Sequence, residues 1–530
     1  MGIYLNPGND GFKSSRAGRY VDKSGLIAVV NETIGKAEKL SCISRARRFG
    51  KSYAAKMLCA YYDKSCDSTE LFDDLEIAGD PTYRTYLNKY NVLYIDITSI
   101  IGEVSGIKGV IPFIREQVKR EIRAEYSGIS EDESFVGTLA QAVSISGSKF
   151  IAIIDEWDAI IRDSDSTRAD QKEYLEFLRS LFKSSGTTDK IFAAAYMTGI
   201  LPVKKDGSQS AISEFREYTM LYPGPFSRFF GFNEDEVKKL CDEDGVDFSQ
   251  MKRWYDGYSF EDIKSVYNPN SVMYALRNRD FRSYWQMSAS ATGLLDLINM
   301  NYDGLSDAAV DLLQGKRVQV ETYGFQNDTT SFASRDDVLT ILIHYGYLSY
   351  DPEGGTVTIP NEEIRREFAR IIHRVKNPET LKRVQESDRL IEDTVNMRED
   401  EVAAQIEKIH RTECAPLHYN REAALRSVIK MAYFAYRDYY MQFEELPGGD
   451  GYADIVYLPK KGIEYPALVI ELKWDSTAEG AIAQIKDKKY PEALEGFDDD
   501  ILLVGISYDK EDGERKHHCR IEHIEPGQFS

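Results

Sequence analysis

The segment 45–52 reads Arg-Ala-Arg-Arg-Phe-Gly-Lys-Ser, and its last three residues match the end of a P-loop. A complete P-loop, G-x-x-x-x-G-K-[S/T], surrounds phosphate groups with backbone N–H groups and a lysine, and its hydroxyl holds Mg²⁺. Arg45 stands where this pattern has its first glycine. Apolar residues 40–43 precede the segment and helix-forming residues 53–58 follow it. This order of strand, turn and helix predicts an α/β domain with a phosphate site; a basic surface turn with a chance Gly-Lys-Ser is the alternative.

Length and charge limit the possible architectures. A chain of 530 residues is expected to hold about three domains. Apolar residues make up 42% of it, which is enough to build substantial cores. The formal net charge of −21 argues against a surface that binds polyanions generally. Any contact with nucleic acid is therefore expected to be local or assisted by a metal ion.

The cysteines and the apolar runs indicate the compartment. The six cysteines are scattered, without a C-x-x-C pair or zinc-ligand spacing, as expected for reduced thiols in a cytosol. The N-terminus lacks a basic segment followed by an apolar core, and no run of about 18 apolar residues occurs. We therefore expect a cytoplasmic protein that is neither secreted nor inserted in a membrane.

Residues 1–225 alternate short apolar runs with helical segments, which is the pattern of a parallel sheet covered by helices. The runs are residues 40–44, 92–97, 150–154 and 191–198. Each run is nearly continuous in apolar residues, as expected for a strand buried on both faces. These observations predict a nucleotide-binding α/β domain over residues 1–225.

The run 150–154 ends in Asp155-Glu156, as a Walker B strand does. In that role Asp155 binds Mg²⁺ and Glu156 polarises the attacking water. Carboxylates that merely face solvent at the end of a strand are the alternative, and the P-loop upstream makes that alternative weaker.

Two further residues are weaker candidates for the same site. Thr198 could sense the γ-phosphate, and Arg216 could supply positive charge to the transition state. For Arg216, a surface salt bridge with Glu214 or Glu217 explains the sequence equally well.

The composition changes after residue 225, and residues 226–375 are predicted to form a helical lid and a winged-helix-like region. The winged-helix-like region is predicted because a helix at 336–348 is followed directly by a β-hairpin at 349–360. Residues 376–412 are highly charged with helical periodicity and are expected to connect this region to the last domain.

Residues 413–530 carry a second group of charged residues on predicted strands. Asp454 lies on the strand 453–458, and Glu471-Leu472-Lys473 lies at the end of the next strand. Alternation along a strand puts Glu471 and Lys473 on one face. Two carboxylates can hold Mg²⁺ while the lysine orients or activates water against a phosphodiester. An edge strand with an ordinary Glu–Lys pair is the alternative.

The helices on either side of these strands add candidates. Gln484 and Lys488 are four residues apart on the predicted helix 478–490, so they share a face that could meet a phosphate backbone. Glu422 begins the predicted helix 422–437 and could add a carboxylate. A solvated charged helix is the alternative for the first pair.

Five motifs, at residues 20–23, 45–52, 254–258, 451–473 and 484–490, occur in one order. With them the sequence resembles, nearly end to end, bacterial AAA-ATPase-like proteins that carry a C-terminal PD-(D/E)XK nuclease-like domain. The resemblance implies a multidomain α/β protein with an additional-strand P-loop ATPase core, a helical middle region and a restriction-endonuclease-like C-terminal domain. Arginine at the first P-loop glycine is ordinary in that family. Ala453 replaces the proline of the usual nuclease motif, although only the carboxylate of Asp454 would contact a metal.

By position, the resemblance and the motifs assign two sites. The predicted nucleotide-binding residues are Arg47, Arg48, Phe49, Gly50, Lys51, Ser52 and Asp155, and Lys51 and Glu156 are the predicted catalytic residues of the ATPase site. The predicted nuclease-like site comprises Asp454, Glu471, Lys473 and Gln484. Ser52 and Asp155 are expected to bind Mg²⁺ in the first site, and Asp454 and Glu471 in the second.

The leading hypothesis is an ATP-binding and ATP-hydrolysing protein whose nucleotide state controls a Mg²⁺-dependent DNA nuclease. Lys51 would stabilise charge on the β and γ phosphates, and Lys473 would help to form hydroxide at the scissile phosphate. One alternative is a switch in which ATP orders the molecule for partner binding while the C-terminal domain binds nucleic acid without cutting it. Another is a protein that binds nucleotide without hydrolysing it. DNA is the expected nucleic acid, and a homo-oligomer is compatible with the sequence.

Overall fold

The computed structural model describes residues 2–104, 106–183, 185–203, 205–206, 209–210, 212–260, 263–285, 302, 304–325, 332–372, 378–413, 422–433, 436–448, 451–460, 463, 465–488, 500–509, 511 and 516–524. The chain forms two compact units. The first comprises Met1–Leu297 and Arg317–Phe368, and the second comprises Ile298–Lys316 and Ala369–Ser530. The finer division at residues 225, 375 and 412 stays a prediction.

The core of the first unit is a five-stranded parallel sheet. Its strands are β1 (Leu40–Ser44), β2 (Asn91–Asp96), β3 (Phe150–Asp155), β4 (Phe192–Gly199) and β5 (Arg216–Tyr218). Their order is β2-β3-β4-β1-β5, and every neighbouring pair is parallel. Because β4 lies between β1 and β3, the predicted P-loop core with an additional strand is confirmed.

Strands β1 to β4 match the four predicted apolar runs to within about one residue at each end, and almost all of their residues are buried. Such continuous apolar sequence is what a strand needs when helices cover both faces of its sheet. The fifth strand was not predicted, because Arg-Glu-Tyr contains no apolar run.

Helices surround this sheet and extend beyond it. The α-helices of the first unit are Asp10–Arg16, Gly25–Thr33, Lys51–Tyr62, Thr69–Phe72, Tyr83–Tyr86, Ile97–Glu103, Val110–Glu125, Phe135–Ser146, Ala159–Arg162, Arg168–Phe182, Ser185–Ile191, Glu234–Asp244, Phe248–Tyr255, Pro269–Asn278 and Arg335–Tyr345, and Glu362–Ile372 begins in it. The helix predicted after Asn233 is present, and Asn233 and Glu236 form a capping box at its start.

Short antiparallel strands complete the first unit. They are Phe232–Asn233, Tyr258–Phe260 and Ile263–Tyr267 in one sheet, Val318–Gln319, Ser349–Asp351 and Thr356–Thr358 in another, and the pair Lys205–Asp206 and Gln209–Ser210. The helix Arg335–Tyr345 followed by the hairpin of Ser349–Asp351 and Thr356–Thr358 matches the predicted helix and hairpin.

The second unit is built on a mixed five-stranded sheet. Its strands, in chain order and in sheet order, are β6 (Tyr440–Gly448), β7 (Gly451–Pro459), β8 (Ala467–Trp474), β9 (Ile501–Tyr508) and β10 (His517–Ile524). Only β8 and β9 are parallel, and the other neighbours are antiparallel. The sequence predicts strands at about 442–446, 453–458, 467–472 and 501–508, and these correspond to β6, β7, β8 and β9. Strand β10 was missed because its sequence is mostly polar.

Helices cover both faces of this second sheet. The helices of the unit are Leu305–Leu313, Pro378–Val395, Glu399–Glu413, Glu422–Ala432, Tyr436–Tyr439 and Ala478–Asp487. One core joins the sheet to Pro378–Val395, Glu399–Glu413 and Glu422–Ala432, and the core on the other face joins it to Ala478–Asp487. The sequence predicted one continuous helix over 422–437, but two helices occupy that stretch.

In the described ranges, no single helix is long and apolar enough to cross a membrane. The helix Val110–Glu125 is preceded by a 3-10 turn, Ile107–Gly109. Together with Ile97–Glu103 these residues form one bent pair that reaches the required length and composition only when both members are taken together.

Candidate nucleotide and metal-ion sites

β1 leads into the predicted P-loop, and the helix Lys51–Tyr62, called the P-loop helix below, begins where the loop ends. Gly50 is the N-cap of this helix and has a φ of +94°. This left-handed conformation favours glycine because a Cβ would be strained there. The strand, turn and helix of a phosphate-binding loop are therefore present, with Ser52 half-buried in the first helical turn.

Lys51 directs its ammonium back towards its own loop. Its Nζ donates hydrogen bonds to the carbonyl oxygens of Arg45 (3.0 Å) and Ala46 (3.1 Å). The same Nζ lies 3.7 Å from Glu156 Oε1, and only 4% of the Lys51 side chain is exposed. Burial lowers the pKa of Lys51, and Glu156 opposes that shift. The ammonium is thus enclosed by the loop that would hold the phosphates.

Arg45, which replaces the first P-loop glycine, is a structural anchor. Its side chain is fully buried, and Nη1 donates to the carbonyl oxygens of Tyr218 (3.0 Å) and Thr219 (2.9 Å). Its Cζ lies 5.4 Å and 5.2 Å from the ring centroids of Phe230 and Phe260. Arg45 therefore ties the loop to the end of β5 and to the residues that follow it.

The three residues before the loop glycine use their side chains for packing inside the protein. Arg48 has a φ of +69°, and its Nη1 donates to the Tyr284 carbonyl oxygen at 2.7 Å. Phe49 is buried and meets Tyr258 edge to face, with ring centroids 5.2 Å apart. The Arg47 guanidinium is partly buried, which lowers its pKa. We therefore expect the backbone N–H groups of these residues, rather than their side chains, to meet a phosphate.

The carboxyl ends of β3 and β4 bring the predicted acidic residues next to Thr198. Asp155 is the last residue of β3 and is almost fully buried. Thr198 Oγ1 donates a hydrogen bond to Asp155 Oδ1, and the Glu156 backbone N–H donates to the same oxygen at 3.1 Å. The register pairs Thr198 with Ile43 of β1, so Thr198 lies on the strand next to the one that leads into the P-loop.

Glu156 lies between two cations. Its Oε1 is 3.7 Å from Lys51 Nζ, and its Oε2 accepts a hydrogen bond from Arg162 Nη2 at 2.5 Å. Its backbone has a φ of +51°, a conformation that costs free energy in a non-glycine residue and that clusters at functional sites. The pKa of Glu156 is raised above its ordinary value because the carboxyl is buried, and the charges of Lys51 and Arg162 oppose this shift.

Two residues that the sequence reasoning missed belong to this cluster. Asp158 is fully buried, and its Oδ2 accepts hydrogen bonds from the amides of Ile200 (3.1 Å) and Leu201 (2.8 Å). The same oxygen accepts from Arg162 Nε at 2.8 Å. The available signal was the i,i+4 spacing of Asp158 and Arg162 directly after the acidic pair, but such spacing occurs on many ordinary helices.

Arg216 is not part of this cluster. It begins β5 opposite Ser41, towards the amino end of the sheet, and it forms an exposed salt bridge with Glu38 at 3.0 Å. The interpretation as a surface salt bridge is confirmed, although the observed partner is Glu38 rather than Glu214 or Glu217.

In the second unit, three predicted residues contact one another. Glu471 and Lys473 lie on β8, and Gln484 lies on the helix Ala478–Asp487. Gln484 Nε2 donates to Glu471 Oε1, and Lys473 Nζ donates to Gln484 Oε1. Lys473 Nζ is also 3.6 Å from Glu471 Oε1. The glutamine thus bridges the predicted metal ligand and the predicted catalytic lysine.

A glycine on the neighbouring strand allows the helix that carries Gln484 to approach. A Cβ on Gly505 of β9 would lie 2.4 Å from the Ala478 carbonyl oxygen. Since real Cβ atoms are essentially never found this close to another atom, the position excludes larger residues unless the helix moves away. The close contact of helix and sheet places Gln484 over β8.

Asp454 lies on β7, the antiparallel neighbour of β8. Its Oδ2 accepts a hydrogen bond from the Leu472 amide at 2.9 Å. Glu471 is only 4% exposed, and burial followed by the charge of Asp454 raises its pKa to about 7. In the described part of the chain, Glu471 Oε2 is buried without a hydrogen-bond partner. A buried free carboxylate oxygen near a second carboxylate fits the donor chemistry of a divalent cation.

Few side chains in this region of the second unit are placed to bind a metal ion, as far as the structure describes it. In the described residues, no group of three or more His, Cys, Asp or Glu side chains is placed to hold a metal ion. Glu422 begins a helix as predicted, but its side chain lies outside the described part. Lys488 is the exposed C-cap of Ala478–Asp487. Arg426, which the sequence reasoning missed, forms an ion pair with Asp454 Oδ1.

Two family models match the chain. Residues 12–208 match the family described as predicted AAA-ATPase, and residues 420–518 match the PD-(D/E)XK nuclease superfamily. A relative from Azotobacter chroococcum mcd 1, described as the uncharacterized protein in the vnfD 5'region, is 24% identical over 291 residues. The alignment covers 53% of this chain and 52% of the relative, so the chain spans about half the length of that relative.

Solved structures show only distant similarity. The Aeropyrum pernix ORC2 protein in ADPNP-ADP complexes gives a TM-score of 0.31 at 11% identity, covering 67% of this chain and 96% of that one. The Aeropyrum pernix ORC1 protein in complex with DNA gives a TM-score of 0.25 at 9% identity, covering 72% and 100%. The fold assignment of the first unit rests instead on its sheet order and on the family match. The chain therefore contains a predicted AAA-ATPase domain over residues 12–208 and a PD-(D/E)XK nuclease superfamily domain over residues 420–518.

Proposed function

We propose that the protein binds and hydrolyses ATP at the first site, and that its nucleotide state controls a Mg²⁺-dependent DNA phosphodiesterase at the second. One observation carries the proposal. Lys51, Asp155 and Glu156 meet at the carboxyl edge of a parallel sheet, next to a loop that ends in a left-handed glycine. Ligands of open α/β sheets bind at this edge, and anions bind at helix N-termini.

Each residue of the first site has a separate role in the proposed hydrolysis of ATP. The loop N–H groups hold phosphate oxygens, and Lys51 balances charge on the β and γ phosphates. Ser52 and Asp155 are the oxygen donors for Mg²⁺, which, when bound, adds positive charge against the phosphates. Glu156 accepts a proton from the attacking water, and Thr198 fixes the orientation of the Asp155 carboxylate.

The residues of the second site fit phosphodiester hydrolysis. Asp454 and Glu471 would hold Mg²⁺, and Glu471 Oε2, which has no hydrogen-bond partner among the described residues, would be one of its donors. Lys473 orients the attacking water, and Gln484 fixes the positions of the Lys473 and Glu471 side chains by hydrogen bonds to both. DNA is the proposed substrate because residues 420–518 match the PD-(D/E)XK nuclease superfamily.

A switch that binds nucleic acid or a protein partner without cutting it is the second candidate. The ion pair between Arg426 and Asp454 favours it, because a guanidinium on a carboxylate oxygen competes with a cation for that oxygen. With two carboxylates as the donor set of the described residues, weak metal binding is a realistic outcome.

The ATPase half is tested by release of inorganic phosphate from Mg²⁺-ATP. Lys51→Ala is expected to lower kcat about 100-fold or more, since the cation opposite the phosphates is lost. Lys56→Ala removes an exposed lysine from the same helix and is expected to leave turnover unchanged. Equal turnover in Lys51→Ala and the natural chain would overturn ATP hydrolysis at this site.

The nuclease half is tested on the same preparation with supercoiled, linear and single-stranded DNA, in Mg²⁺ or Mn²⁺, with and without ATP. Cleavage is expected, and Asp454→Ala and Lys473→Ala should reduce it about 100-fold. Lys486→Ala, an exposed lysine on the neighbouring helix, is the matched control. Absence of cutting, combined with DNA binding, would support the switch instead.

A further inference from the structure

The two oxygens of the Glu156 carboxylate face different cations. Oε1 lies 3.7 Å from Lys51 Nζ, and Oε2 accepts a hydrogen bond from Arg162 Nη2 at 2.5 Å. Lys51 comes from the loop that would bind phosphate, whereas Arg162 ends the short helix Ala159–Arg162 that follows β3. The two cations therefore belong to different parts of the site and can act at different stages.

Arg162 is fixed in place independently of Glu156. Its Nε donates to Asp158 Oδ2 at 2.8 Å, and only 13% of the arginine side chain is exposed. Asp158 is itself held by the amides of Ile200 (3.1 Å) and Leu201 (2.8 Å), directly after β4. A guanidinium that is anchored to the end of the central sheet loses little conformational entropy when it orients a neighbouring carboxylate.

Phosphate binding would separate the two cations. Lys51 now donates to the carbonyl oxygens of its own loop, and a γ-phosphate in that loop would draw its ammonium away from Glu156. Arg162 keeps its anchor on Asp158 and remains on Oε2. We propose that Arg162 is the positioning residue for Glu156, holding this carboxylate aimed at the attacking water once Lys51 has turned to the phosphates.

This inference rests on the proposed ATP hydrolysis, and it assigns Arg162 a role in turnover rather than in nucleotide affinity. Loss of Arg162 would remove the donor that fixes the orientation of Glu156 Oε2, whereas Lys51 and the loop that holds it would stay in place. A carboxylate that samples several orientations is aimed at the attacking water for a smaller share of the time, so turnover is expected to fall while nucleotide affinity changes little.

The test compares the full chain with Arg162→Gln, Arg162→Lys and the control Arg84→Gln, which removes an exposed arginine that pairs with Asp73. Phosphate release is measured against ATP concentration. Arg162→Gln should lower kcat about 10- to 100-fold with less than about a threefold change in KM. Arg162→Lys should recover part of the rate, and Arg84→Gln should match the natural chain.

The outcomes separate the inference from the function on which it rests. If the natural chain itself releases no phosphate, the proposed ATPase fails and this inference fails with it. If the natural chain is active and Arg162→Gln keeps its kcat, only the inference is overturned. A rise in KM at constant kcat would assign Arg162 to nucleotide binding and also overturn it. Melting curves of each variant identify a misfolded protein, in which case Arg162→Lys decides between the outcomes.

Discussion

At the scale of single residues, Arg45 shows how the P-loop accommodates the loss of its first glycine. Its φ is not in the positive range that would demand glycine. Its guanidinium instead bonds to the carbonyl oxygens of Tyr218 and Thr219, between the rings of Phe230 and Phe260. At this position the chain therefore does not need the conformational freedom of glycine. It depends instead on the buried contacts of the arginine side chain.

Arg45→Gly tests this role because it restores the usual P-loop residue. We expect the free energy of unfolding to fall by about 2–4 kcal/mol, since two buried carbonyl oxygens lose a charged donor and a cavity forms. Arg45→Lys should cost less because it keeps a donor and most of the volume. Urea unfolding followed by fluorescence measures both changes. A glycine variant as stable as the natural chain would contradict the anchoring role.

At the scale of elements, Glu363 joins three segments of the first unit. It lies in Glu362–Ile372, and Ser271 Oγ of Pro269–Asn278 donates to its carboxylate at 2.8 Å. The amides of Tyr284 (2.6 Å) and Trp285 (2.9 Å) donate to its Oε1. Because Arg48 of the P-loop donates to the Tyr284 carbonyl oxygen, this short segment lies between the loop and the helix.

The burial of Glu363 makes the stability of this arrangement depend on pH. Burial raises its pKa to about 7, above the ordinary value of a glutamate in the unfolded chain. The folded state therefore binds more protons between about pH 4.5 and 7, and stability falls as pH rises through this window, by on the order of 3 kcal/mol. Glu363→Gln should remove this contribution, because its amide oxygen can keep the contacts of Oε1 without a charge. The free energy of unfolding of the natural chain and of Glu363→Gln is measured with denaturant at pH 5 and pH 8. An equal pH dependence in the two proteins would refute the role of Glu363.

The elements also show what the sequence could and could not predict. Strands β1 to β4 and β7 to β9 were predictable because each contains an apolar run, whereas β6 mixes apolar with polar residues. The acidic pair at the end of β3 and the Glu471-Leu472-Lys473 segment of β8 marked the two sites. β10 was missed because an edge strand such as His-His-Cys-Arg carries no apolar pattern. Arg162 and Arg426 were missed for another reason. Their roles depend on carboxylates brought close by folding. The i,i+4 spacing of Asp158 and Arg162 is too common to identify a site, and the sequence around Arg426 does not indicate Asp454 as its partner.

At the scale of the whole molecule, the question is whether nucleotide at the first unit affects the second. Each unit has its own sheet and its own buried core, so each could bind its ligand independently. The presence of two functional sites in one chain is not enough for nucleotide to control the nuclease. Control requires a coupling free energy, and such a coupling is reciprocal in binding.

Reciprocity gives a test that does not depend on cleavage. In the full chain with Asp454→Ala, which should not cut DNA, we expect DNA to change the Kd of a fluorescent non-hydrolysable ATP analogue by about five-fold or more. The analogue should change the Kd for DNA by the same factor, because both changes close one thermodynamic cycle. Lys51→Ala, expected to weaken nucleotide binding, is the control for binding outside the P-loop. Identical Kd values with and without DNA would mean that the two units act independently, and nucleotide control of the nuclease would then be wrong even if both activities exist.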